Sequence, residues 1–125
     1  MSALSPVLRG GDNDELGRFI TWFCLGCGYC HTVYYGEGPT EWHGHKIPRW
    51  TFDGNVEKPT IHPSFRAYEP AYKDEKGVDH PERTTCHIWL KNGIVEFLGD
   101  SAHSLRGQTL PLPEKWREEY EAGLE

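Results

Sequence analysis

The chain has 125 residues, enough for one ordinary core and too few for two. Its formal charge of −6 excludes general affinity for nucleic acid, which draws on a surplus of Lys and Arg. Only 37% of residues are hydrophobic, yet five Trp, six Tyr and five Phe carry large apolar areas, a balance that suits a small, loop-rich β domain held partly by a metal.

Residues 1–16 mix Pro, Gly, Asn and Asp without periodicity and read as a flexible arm. The stretch Met1–Leu8 carries neither a basic leader nor an apolar run of signal-peptide length. No segment approaches the roughly eighteen apolar residues of a membrane span, so a cytoplasmic protein without membrane contact is expected. Thiols stay reduced there, and four cysteines then point to metal rather than to disulfides.

Residues 17–125 are expected to form a single zinc-stabilised β domain. Phe19–Phe23 and Tyr29–Tyr35 are β-branched and aromatic, and they flank Cys24-Leu25-Gly26-Cys27-Gly28. Two thiols separated by two residues present a pair of sulfurs to one zinc ion at about 2.3 Å, and Gly28 supplies the positive φ that such a turn often demands. The pattern predicts a zinc-ribbon-like hairpin. Residues 36–47 are turn-rich, Arg49–Phe52 is a short strand, and Pro59–Phe65 is held extended by its prolines. Residues 69–83 are a charged surface loop. Thr84–Leu90 and Ile94–Leu98 flank Asn92-Gly93, a type I′ hairpin signal. Over 113–124, Pro113 in the first turn and the stripe Trp116, Tyr120, Leu124 predict a C-terminal helix. The expected fold is mainly β, a small antiparallel sheet of two or more hairpins with the Cys turn and this one helix.

A zinc site needs four ligands. Cys24 and Cys27 supply two, and the others must come from far along the chain. Within Thr84–Leu90, Cys86, Ile88 and Leu90 share one strand face and His87 lies on the face of Trp89. A thiolate at Cys86 on the core side can complete the site. His103, just past the last strand, suits the fourth position and gives Cys3His, with His31 and His87 in reserve. Asp100 can orient a histidine as a hydrogen-bond acceptor. Cys30, inside a strand-like run, reads as a small buried hydrophobe. His43, His45 and His80 read as surface residues, and His62 as a residue that could line a pocket.

The motifs Trp22–Cys27, Trp50–Asn55, Lys58–Ser64, Cys86–Trp89, Asn92-Gly93, Phe97–His103 and Leu105–Pro111 stand in this order along the chain. Together they resemble a family of small bacteriophage and prophage proteins of undefined function. Some members carry labels such as ammonia monooxygenase or anaerobic dehydrogenase, but the sequence has no nucleotide fingerprint or redox ligand set to match them. The family pattern usually has Pro where Leu25 stands and often Cys where Ser101 stands, so the resemblance shifts a ligand role from position 101 to His103.

Two functions follow from these readings. The favoured one is a phage- or prophage-encoded binding module that engages a protein partner in the host cytoplasm or serves in the virion. One closed, structural zinc per chain stabilises it. The alternative is a small zinc-dependent hydrolase with an open coordination position, in which Asp100, His87 or His62 acts as general base.

Overall fold

The computed structural model describes residues 1–114 and 116. In chain order the strands are β1 (Ser2–Ala3), β2 (Arg9–Asn13), β3 (Gly17–Cys24), β4 (Tyr29–Tyr35), β5 (Glu41–Trp42), β6 (His45–Lys46) and β7 (Arg49–Phe52). They continue with β8 (Ile61–His62), β9 (Phe65–Glu69), β10 (Tyr72–Lys73), β11 (Asp79–His80), β12 (Arg83–Lys91), β13 (Ile94–Phe97) and β14 (Thr109–Pro111). The mainly β expectation holds. Two sheets carry the fold, a six-stranded one in the order β1-β2-β3-β4-β7-β8 and a four-stranded one in the order β14-β13-β12-β9. The β4–β7 pairing is parallel, and its neighbours in both sheets are antiparallel.

Both sheets contribute to one core. Ile20 and Trp22 from β3, Val33 from β4, Ile61 from β8, Phe65 from β9, Ile88 and Leu90 from β12 and Val95 and Phe97 from β13 belong to a single buried cluster. Five consecutive β3 residues, Ile20–Cys24, are buried, as expected of a strand covered on both faces. On that strand Thr21 offsets its buried hydroxyl by a 2.8 Å hydrogen bond to the hydroxyl of Thr32 across the ladder. Along β12 burial alternates, with Cys86, Ile88 and Leu90 inside and His87 and Trp89 half-exposed. The turn to β13 has positive φ at both Asn92 and Gly93, the type I′ geometry that the dipeptide predicts.

Residues 1–16 depart from the arm expected of them. β2 pairs with β3 over five residues and Leu8 is fully buried. The hydrogen-bond ladder comes from β3, a partner that local composition does not reveal. Residues 36–47 are tied down by Arg49, whose guanidinium donates to the carbonyls of Leu16, Tyr35, Gly36, Glu37 and Pro39. The helix expected over 113–124 lies outside the described residues apart from Pro113, Glu114 and Trp116. The Trp116 side chain is buried, with the Arg9 guanidinium 4.0 Å from its ring centroid. No helix of the described residues is long and apolar enough to cross a membrane.

Candidate functional site

β12 carries chemistry on both faces. On its buried face Cys86 meets the turn between β3 and β4. The Gly28 N–H donates to the Cys24 carbonyl at 2.8 Å, which closes that turn, and Gly28 takes the positive φ expected of it. The Cys27 N–H donates to Cys24 Sγ at 3.4 Å, and Cys24 Sγ lies 3.9 Å from Cys86 Sγ. Sulfurs on one tetrahedral zinc stand about 3.8 Å apart. His31, two residues into β4, brings a buried imidazole, and the ligand atoms of Cys24, Cys27, His31 and Cys86 all lie within 4.8 Å of one another. His31 Nε2 is buried and has no hydrogen-bond partner. A buried polar atom in that state is costly unless something binds it. These four residues can hold a metal ion.

The thiols interact strongly with each other. Hydrogen bonds from Cys24 and Cys86 hold the Cys27 thiol well below the usual range. The same contacts work in the other direction on the donors. The bond to Cys27 pushes Cys24 up to about 11, and Cys86 is raised chiefly by its contacts with Cys24 and Cys27. Metal binding takes the thiols in their deprotonated form, so it is coupled to release of their protons. Cys30 stands outside the cluster, its thiol pushed up to about 11 by burial.

His103 sits beside the cluster. Its Nδ1 accepts the Leu105 N–H at 3.3 Å, so its Nε2 carries the hydrogen and donates to Cys86 Sγ at 3.4 Å. The ring lies so close to the Cys turn that a Cβ at Gly26 would collide with it. His43 and His45 are exposed on the β5–β6 hairpin, and His80 bonds Asp74 at 2.9 Å, which holds that carboxyl below its usual range.

On the opposite face of β12, His87 links two residues that the sequence keeps apart. Ser64 Oγ lies 3.2 Å from His87 Nε2, and His87 Nδ1 lies 3.1 and 3.0 Å from the two carboxylate oxygens of Asp100. An ionised carboxylate only accepts, so Nδ1 carries the hydrogen and Nε2 is left to accept the Ser64 hydroxyl proton. The register places all three. Arg66 pairs with His87 across β9 and β12, and Ser64, two residues before Arg66, shares its face. Trp50 Nε1 donates to the Ser64 carbonyl at 3.2 Å and anchors that backbone. Asp100 is held by the turn that follows β13. There the Leu98 N–H donates to the His87 carbonyl at 2.8 Å, and buried Ser101 Oγ accepts the His87 N–H at 3.0 Å and donates to the His87 carbonyl at 3.2 Å.

Ser64 is the residue that sequence reasoning missed. It stands next to last in the extended Pro59–Phe65 run, with no glycines around it to mark a nucleophile turn. His87 and Asp100 were identifiable as chemically able, but only as a reserve ligand or base and its orienter. The available signal was the order Ser, His, Asp along the chain, which is weak until the strands are paired.

A family model described as bacterial ubiquitination-like system serine protease (BubE) matches residues 5–98. The span contains Ser64, His87 and the four clustered ligands, and Asp100 lies just beyond it. No curated protein and no solved structure matches the chain.

Proposed function

Since the chain belongs to the BubE family of bacterial ubiquitination-like system serine proteases, we propose that it is a serine hydrolase acting on a protein of such a system, with Ser64 as nucleophile. The observation that carries the reading is the unbroken hydrogen-bond chain Ser64–His87–Asp100. Ser64 Oγ attacks the scissile carbonyl carbon while His87 Nε2 takes its proton. The same nitrogen then gives that proton to the leaving amine, and the acyl group stays on Ser64 as an ester. Water, deprotonated by His87, attacks the ester, releases the carboxylic acid and restores the Ser64 hydroxyl. Asp100 stays ionised throughout, fixes the tautomer and stabilises the imidazolium.

This replaces the binding module favoured by the sequence, and it takes the hydrolase alternative away from a zinc-bound water. The metal keeps a structural role. One zinc per chain fits Cys24, Cys27 and Cys86 as thiolate ligands with His31 in the fourth position, on the strength of its unpartnered buried nitrogen. His103, the fourth ligand expected from sequence, then supports the site through its N–H···S bond to Cys86. Four protein ligands leave no open position, so the metal would brace the fold rather than catalyse. The cytoplasm, with its reduced thiols, is the compartment that suits this centre.

The test is covalent. A fluorophosphonate probe should label the protein once, with the adduct on Ser64 by peptide mass spectrometry, and Ser64→Ala should not be labelled. Labelling of Ser64→Ala at the wild-type rate, or none of the wild type, would remove the assignment.

A further inference from the structure

β9 begins next to the nucleophile and forms the edge of its sheet, with β12 as its only paired strand among the described residues. The bonds of His87 show which way its backbone faces. The His87 N–H and carbonyl are both engaged on the far side of β12, by Ser101 Oγ and by the Leu98 N–H. In an antiparallel ladder, a residue whose main-chain groups point away from its neighbour forms a non-hydrogen-bonded pair with it. The N–H and carbonyl of Arg66, which faces His87, therefore point outwards from the sheet. The Ser64 carbonyl, two residues earlier, accepts the Trp50 indole N–H at 3.2 Å. Outside its pairing with β12, the Arg66 main chain has no hydrogen bond among the described residues.

An open groove of about 770 Å³ runs between Tyr68 on β9 and residues 46–49, the segment leading to Trp50. The Arg66 side chain is anchored by its neighbours. Its Nε donates to Thr84 Oγ1 at 2.7 Å, its Nη2 pairs with Glu82 Oε1 at 2.6 Å, and its guanidinium carbon lies 5.0 Å from the centroid of the Tyr68 ring. An outward-facing N–H and carbonyl at Arg66, on an edge strand and two residues from a nucleophilic serine, are a template for strand addition.

We infer that the protein substrate enters as an extended, flexible segment that adds a strand to the open edge of β9, pairing its main chain with the N–H and carbonyl of Arg66 so that the scissile carbonyl reaches Ser64 Oγ. This rests on the serine-hydrolase reading and deepens it. Recognition through the main chain makes cleavage depend on an unfolded tail or linker rather than on a folded surface. Side-chain preference is left to the groove wall and to the His62–Trp89 stack beside the triad, with rings 6.1 Å apart.

The experiment uses the full chain and a positional-scanning library of tetrapeptidyl aminomethylcoumarins. The best member is then resynthesised with single N-methyl groups at successive amides. Strand addition predicts an alternating pattern, in which methylation of the amide that pairs with the Arg66 carbonyl lowers kcat/KM about tenfold or more and its neighbours change it little. Arg66→Pro removes an outward donor that no ladder bond uses, so it should lower peptide cleavage about tenfold further than it lowers fluorophosphonate labelling. The inference is overturned by a uniform or absent N-methyl effect, or by Ser64 labelling without cleavage of any library member. A dimer in sedimentation that Arg66→Pro converts to monomer also overturns it, since the edge would then belong to a second copy. All three leave the triad standing, whereas loss of Ser64 labelling in the wild type removes the triad itself.

Discussion

Asp100→Asn isolates the orienting role at the triad's exposed end. The change keeps the size of the side chain and replaces one acceptor oxygen by an NH2 group. In a buried Ser-His-Asp triad the equivalent change costs about 10⁴ in kcat, because the amide donates to Nδ1 and imposes the wrong tautomer. Here the carboxylate is less enclosed, at 54% side-chain exposure against 25% for His87. Water screens its charge, and the new amide is free to turn its oxygen towards Nδ1. The expected loss is therefore smaller, about 10²–10³ in kcat/KM, or about 2.7–4.1 kcal/mol of transition-state stabilisation. It is measured as the second-order rate of fluorophosphonate labelling and as peptide cleavage in parallel. The melting temperature should stay within ~2 °C of wild type, since the site is on the surface and the His87–Asp100 hydrogen bond contributes little to folding. A loss below about fivefold would refute the reasoning, because Asp100 would then not hold the His87 tautomer.

Ser64→Ala should abolish labelling and peptide cleavage with the fold intact by circular dichroism; residual cleavage above background would point to another nucleophile. Ser101→Ala leaves the His87 N–H without its partner, a destabilisation of about 1–3 kcal/mol by denaturant titration, and should slow labelling although Ser101 touches no substrate. Restoration by Ser101→Thr would separate the hydroxyl's bond from mere filling of space. Elemental analysis should find close to one zinc per chain. Cys24→Ser, or chelation, should lower the melting temperature by more than ~10 °C, with labelling lost alongside because Cys86 and His87 are consecutive on β12. Full labelling of metal-free protein would detach the two sites from each other. Trp22→Ala, at a fully buried site, should cost about 3–5 kcal/mol and threaten folding outright, as read by chemical denaturation.

The strand with most chemistry was the most readable. Alternation along Thr84–Leu90 put Cys86 inside and His87 outside before any partner strand was known, because a pleated strand turns successive side chains to opposite faces. Asn92-Gly93 announced its turn through two positive φ values that few other residues tolerate. The Cys24–Cys27 turn likewise announced a pair of sulfurs able to hold a metal ion, since its geometry is closed within five residues. The histidine that joins the three thiols was less legible. Both His31 and His103 come near Cys86, and what separates them is the Leu105 N–H that fixes the tautomer of His103 and the absence of any such partner at His31 Nε2.

By itself, then, the sequence determined what is local: strand faces, turn types, the paired thiols and a mainly β chain short of aliphatic core. Tertiary structure decided everything that depends on which strands become neighbours. β2 is a strand only because β3 offers it a ladder, and Ser64 is a nucleophile candidate only because the β9–β12 register sets it against His87. Periodicity and backbone sterics act within a few residues and leave a mark on each of them. Pairing and register are chosen by burial of the whole core, and a one-residue slip would have turned Ser64 away from its base.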